Sequence, residues 1–272
     1  MTFVDVHAHY DERDYPFPND PAAVMRKTDL ESFRTAMDAA QVERVVFFAG
    51  LASIMEAPAT DGGLQDANRR LLDVGRPHPG KLAFGLLVHP SRVADSVAVI
   101  EKYHGAPNVV GVGELLPTGH FNGHEFNTAA MQQIAECAAS HGLPMNFHTG
   151  SAERVRQIAW LAGRVPTGQY ILAHAAGRAV EDGLALMAEK ANVWMDLSVH
   201  AWKPGVREPL VARADRARLL FGSDFPIESY PVAVEHFQHL GFNPQDMERI
   251  ARLNALRLFP KLQAAAPPPS SR

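Results

Sequence analysis

The sequence predicts an α/β chain folded as a (β/α)8 TIM barrel. Three observations carry this expectation. Eight short runs rich in Val, Ile, Leu and Phe alternate with longer stretches of helical spacing. Most of these runs are apolar throughout, as strands of a parallel sheet buried on both faces require. The 272 residues slightly exceed the ~250 typical of such a barrel, and no break in composition divides them. The same alternation also suits an open doubly wound sheet, so pattern alone does not close the barrel.

In chain order the expected strands are Phe3–His9, Arg44–Phe48, Leu82–Val88, Val109–Glu114, Pro144–His148, Tyr170–His174, Val193–Leu197 and Arg218–Ser223. Helices are expected over Leu30–Ala40, Asn68–Val74, Ala94–His104, Thr128–His141, Glu153–Gly163, Ala179–Lys190, Val206–Arg213 and Val232–Leu240, with Gln245–Leu258 as a closing helix. Gly142 and Gly241 follow the last turns of their helices, where a left-handed cap favours glycine. The segments Gly50–Gly63 and Leu115–Phe126 are long for βα loops and sit where barrel enzymes keep their chemistry. One barrel domain is expected over residues 1–262. Residues 263–272, nearly all Ala, Pro and Ser, are expected to form a disordered tail.

Composition narrows the function. With 46% hydrophobic residues, the chain can fill a core. A net charge of −4 without a basic stripe gives nucleic acid no footprint, so a small-molecule substrate is the expected partner. One cysteine, Cys137, excludes an internal disulfide and fits a reducing, cytoplasmic setting; inside a helical stretch it reads as a small buried hydrophobe. No segment has the length and apolarity of a membrane span, and the N-terminus lacks a signal pattern. A homodimer is the default oligomer.

The polar residues at the strand ends carry the chemistry. His7 and His9 stand two apart on the first strand, so both imidazoles face the same side and make half of a metal site. Asp5 shares their parity, which suits an orienting carboxylate or a backbone hydrogen bond. His148 ends Pro-Met-Asn-Phe-His and His174 ends Tyr-Ile-Leu-Ala-His. Asp224 follows Leu-Leu-Phe-Gly-Ser, and Glu114 ends the fourth strand. In a barrel these six side chains converge on one rim. Burying them together without a cation is costly.

The phrases VDVHAHY, LPMNFHTG, LAHAAG, LLFGSDFP and IARLNALRLF resemble the amidohydrolase superfamily. Within it they resemble the amidohydrolase-2 branch that includes aminocarboxymuconate-semialdehyde decarboxylase-like proteins. The likeness runs from Val4 to Phe259. It implies a metal-dependent barrel in which His7, His9, His148 and Asp224 hold a divalent ion, often Zn2+, with Mn2+, Fe2+ or Ni2+ as substitutes. It also implies that His174 is a catalytic or second-metal histidine and that Asp224 handles protons. Glu114 is similar instead to a glutamate of the TatD-like deoxyribonucleases. By that analogy a first ion takes His7, His9, Glu114 and Asp224, and a second takes Glu114, His148 and His174. One ion and two remain equal expectations.

Such a centre lowers the pKa of water from ~15.7 toward ~7. It suits hydrolysis of an amide, lactone or ester-type bond. It equally suits non-oxidative decarboxylation of an unsaturated or aromatic acid. Mouth-loop residues add substrate candidates: His89, His200, Trp202 and Arg178, the last matched to a substrate carboxylate. His120 and His124 in the loop after Glu114 read as solvated side chains.

Overall fold

Eight parallel strands follow one another around a single sheet in chain order. They are β1 (Phe3–Tyr10), β4 (Val42–Ala49), β5 (Leu82–Leu86), β6 (Val109–Leu115), β7 (Met145–Phe147), β8 (Tyr170–Leu172), β9 (Val193–Asp196) and β10 (Leu219–Leu220). The ring closes between its last and first members. The Val6 N–H donates to Phe221 O at 3.0 Å, the Asp224 N–H donates to His7 O at 2.7 Å, and Ala8 bridges Phe225 in parallel. The chain is therefore a barrel and not an open sheet. The computed structural model describes residues 1–17, 20–78, 80–119 and 121–264. Residues 265–272 of the expected tail, and His120, lie outside them. Gln263, also assigned to that tail, instead lies in a short helix, α12 (Pro260–Ala264).

Two apolar layers hold the barrel. Phe33, Phe47, Phe84, Met131, Ile134 and Phe147 pack between the sheet and the helices around it. Val4, Val6, Val46 and Ile171 fill the floor, where Leu258, Phe259 and Leu262 from the chain's last turns plug it. Lys261 fixes that plug by donating to Val109 O at 2.8 Å, at the start of β6. With one end stoppered, the opposite mouth is the end left for function. Gly142 and Gly241 have φ of 64° and 96°, the left-handed conformation expected of helix caps.

Three departures from the expected pattern matter. An antiparallel hairpin, β2 (Tyr15–Phe17) and β3 (Asp20–Met25), stands between β1 and the first helix, α1 (Leu30–Ala39). Its strands are short, carry proline and are partly exposed, so they give no apolar run to read. Helix α2 (Leu51–Glu56) occupies part of the expected loop after β4. The closing helix divides into α10 (Pro244–Glu248), a π turn over Arg249–Leu253 and α11 (Asn254–Leu258). A π turn re-aims backbone carbonyls, and Ile250 O here accepts from the Phe221 N–H at 3.1 Å, tying the closing helix to the barrel. Among the described residues, no helix is long and apolar enough to cross a membrane.

Candidate metal centre

The strands deliver the polar residues by ending early. β8 stops at Leu172, and His174, Ala175 and Ala176 then adopt φ of 59°, 52° and 56°. Asp224 has φ of 61°. Left-handed backbone at non-glycine residues costs energy and concentrates at functional sites. In β1 the register shifts between Asp5 and Ala8. Asp5 consequently leaves the face that His7 and His9 share. It accepts from the Ser223 hydroxyl at 2.6 Å, the Tyr230 hydroxyl at 3.0 Å and the His7 N–H at 3.0 Å. Burial pushes its carboxyl up to about 6 against those donors. Asp5 thus staples β1 to the chain after β10 and does not orient an imidazole.

That orienting task falls to Asp196, at the tip of β9. His7 Nδ1 lies 3.0 Å from Asp196 Oδ2, and both side chains are fully buried. Gly222 makes the approach feasible: a Cβ there would stand 3.0 Å from His7 Cβ and 3.3 Å from Asp196 Oδ1. Asp196 also accepts from Asn146 Nδ2 at 3.2 Å, from the His174 N–H at 3.1 Å and from the Ser198 hydroxyl. Because Ser198 gives its proton to Asp196, its oxygen accepts from His174 Nδ1 at 2.9 Å. His9 Nδ1 donates to Ala49 O at 3.0 Å. Three imidazoles therefore have Nδ1 committed as a donor, which leaves each Nε2 lone pair as a ligand.

Those lone pairs meet carboxylates. His9 Nε2 is 3.2 Å from Asp224 Oδ1 and 3.5 Å from Glu114 Oε2. His7 Nε2 is 3.6 Å from Asp224 Oδ1 and 3.7 Å from Glu114 Oε2. The other Glu114 oxygen, Oε1, is 3.0 Å from His148 Nδ1 and 3.2 Å from His174 Nε2, and those two nitrogens are 3.1 Å apart. All six expected residues are brought together. Two overlapping groups of metal-competent atoms result, His7 with His9 and Asp224, and His7 with Glu114 and His174.

The set fits a cation. His7 Nε2 is buried without a hydrogen-bond partner among the described residues. Ligands bonded at ~2.1 Å in a tetrahedron stand about 3.4 Å apart, close to the spacings around His7 and His9. Electrostatics agree. Burial opposes charge on His7, yet Asp196 and Glu114 hold its pKa well above the ordinary range. Burial likewise opposes charge on His174, and Asp224 and Glu114 outweigh it. Glu114 and Asp224 are buried, but the surrounding imidazoles hold both below the usual carboxylate range. The pocket favours positive charge, which protons or a metal ion could supply.

The weaker substrate candidates divide. His200 lines the cavity above Glu114, its ring centroid 6.1 Å from that of His174. Trp202 does not line it; the indole stacks on His236 at 4.2 Å. Arg178 is exposed at the end of the turn after β8 and does not line the cavity. His89 is buried below the mouth, held by Ser91 and by His124 Nε2 at 2.7 Å. His124 is therefore paired and not simply solvated. Sequence reasoning missed Asp196 as the orienting carboxylate. Its signal was an aspartate closing the apolar run Val-Trp-Met, the same pattern that marked the ligands.

The Amidohydro_2 (Amidohydrolase) family model matches residues 4–261. No curated protein matches the chain. Solved structures share the fold at low identity. A 5-carboxyvanillate decarboxylase from Novosphingobium aromaticivorans, complexed with manganese and 4-hydroxy-3-methoxy-5-nitrobenzoic acid, has a TM-score of 0.76 at 14% identity, covering 96% of each chain. A dihydroxybenzoic acid decarboxylase from Polaromonas, with manganese and 2-nitroresorcinol, has 0.75 at 13%, covering 95% of this chain and 97% of that one. A probable 2-pyrone-4,6-dicarboxylic acid hydrolase from Acinetobacter baumannii, with citric acid bound, has 0.72 at 17%, covering 96% of this chain and 100% of that one. With its barrel and its family match running almost end to end, the chain belongs to the amidohydrolase family.

Proposed function

We propose that this protein is a metal-dependent hydrolase that cleaves an amide, lactone or ester-type bond in a small organic substrate. The observation that supports it is Glu114. Its two oxygens face different ligand sets, Oε2 toward His7 and His9 and Oε1 toward His148 and His174. A carboxylate so placed suits a bridge between two ions. One would be held by His7, His9, Glu114 and Asp224, the other by Glu114, His148 and His174. Nitrogen and carboxylate donors suit Zn2+ first, and Mn2+, Fe2+ or Ni2+ as well. A bound ion of this kind supplies Lewis acidity and lowers the pKa of water from ~15.7 toward ~7. Asp224, an ionised acceptor, takes the proton from water and returns it to the leaving group. Asp196 and Ser198 keep His7 and His174 in the tautomers the centre needs.

A second reading is non-oxidative decarboxylation of an unsaturated or aromatic acid. It has on its side the decarboxylase folds similar to this one and an apolar cavity over the centre. Product analysis separates the two: hydrolysis adds water, splitting an amide or ester into two fragments or opening a lactone to one hydroxy acid, and decarboxylation yields CO2. Elemental analysis of purified protein should find close to two equivalents of divalent metal, and Asp224→Asn should abolish turnover with the fold intact. Protein that takes up no divalent ion, or full turnover by Asp224→Asn, would sink the proposal.

A further inference from the structure

The cavity above Glu114 has walls of one character, and this bears on the substrate. It encloses about 220 Å³. Phe17 and Met25 of the hairpin, Leu51 and Ile54 of α2, Phe121 of the loop after β6 and Ile227 after β10 form much of its lining. The Phe17 and Phe121 rings meet at 5.9 Å, so the hairpin and the β6 loop close over the site together. Among the described lining residues the only polar side chains are five of the six proposed ligands, His9, Glu114, His148, His174 and Asp224, and His200; none is Lys or Arg.

Size and polarity then select the ligand. An apolar cavity of ~150 Å³ accepts a benzene ring. The space here admits one ring and the short polar link that reaches the centre. A carboxylate pressed against the outer wall would lose its water and gain no cationic partner. We infer that the site takes an acyl compound whose group beyond the reacting carbonyl is neutral, apolar and about one ring in size. This rests on the hydrolase reading only for where the carbonyl sits. The cavity wall is an independent observation.

Hydroxamates test it, because the hydroxamate chelates metal while its substituent samples the wall. Acetohydroxamate, benzohydroxamate and 4-carboxybenzohydroxamate are titrated calorimetrically into Mn2+-loaded protein whose metal content has been measured. Benzohydroxamate should bind at least tenfold tighter than acetohydroxamate and at least tenfold tighter than its 4-carboxy derivative. Equal affinities, or a preference for the carboxylate, would overturn the inference. Ile227 is 50% exposed, so Ile227→Arg is compatible with folding. That variant should improve the 4-carboxy compound about tenfold relative to benzohydroxamate, and an unchanged ratio counts against the inference. If the protein takes up no Mn2+, the hydrolase reading fails on its own. Benzamide and 4-carbamoylbenzoate, followed by NMR shifts on metal-free protein, then decide the cavity question: binding of the amide alone supports it, and binding of the acid overturns it.

Discussion

Two histidine pairs in this molecule share a geometry and differ in the charge that surrounds them. His148 and His174 bring ring nitrogens to 3.1 Å beside Glu114. His89 and His124 bring theirs to 2.7 Å above β5. In the first pair burial opposes charge on both imidazoles; Asp224 and Glu114 outweigh it at His174, whose pKa rises, whereas at His148 burial still leads and the pKa falls despite Glu114. In the second, burial leads and His124 and Arg92 reinforce it, so His89 is pushed down to about 4. Burial lowers a histidine's pKa unless nearby carboxylates outweigh it, as they do at His174 and His7. The same imidazole contact thus lies among carboxylates in one place and is a neutral hydrogen-bonded strut in the other. His89 fills the strut role through Ser91 and the carbonyl of Asn122.

If the carboxylates make this difference, removing one should turn the first cluster toward the second. Glu114→Gln keeps the size and loses the charge. The variant should bind less than half the metal of the parent, by elemental analysis after dialysis. Its kcat/KM should fall about 10³-fold, the scale of several kcal/mol of lost electrostatic stabilisation. Full metal content with full activity would mean that the histidines alone suffice.

A smaller effect is expected one layer out. Asp196→Asn leaves the ligands in place but lets the amide present its N–H to His7 Nδ1, favouring the tautomer whose Nε2 is protonated. Groups that orient metal ligands typically contribute 10–100-fold in affinity. Competition with a fluorescent chelator should show a weakening of that size, with the circular dichroism spectrum unchanged. Parent-like affinity would assign Asp196 a purely structural role.

The sequence disclosed the proposed ligands more readily than their supports, for a physical reason. A polar residue ending an apolar strand is conspicuous, so His7, His9, Glu114, His148, His174 and Asp224 all stood out. The partner of each imidazole depends on register, which a one-residue shift inverts. Asp5 looked like the orienting group because it shares the parity of His7; the register shift before Ala8 removed it and left Asp196 to act. The cavity wall was less legible still. Phe17 and Met25 belong to a short, partly exposed hairpin, and Leu51 and Ile54 to a six-residue helix that begins at a glycine loop. Neither element has the periodicity that marks a longer one. Trp202 and Arg178 lie close to the proposed ligands along the chain, but neither lines the cavity: the indole stacks on His236 and Arg178 is exposed.

The neutral cluster yields the mildest prediction, and its sign follows from the lowered pKa. Folded protein holds His89 uncharged down to about 4, whereas the unfolded chain takes up a proton near 6.5. The unfolded state therefore binds more protons between those values. The stability associated with a neutral His89 is present above about 6.5 and is lost as pH falls toward 4. Urea midpoints measured across that window should decline in the parent and decline less steeply in His89→Gln, which has no imidazole to protonate. Metal content of His89→Gln at pH 7 should match the parent within about twofold, since the strut touches none of the proposed ligands. A variant that kept the full acid sensitivity would place the proton uptake elsewhere. One that lost the metal would join two clusters that charge otherwise keeps apart.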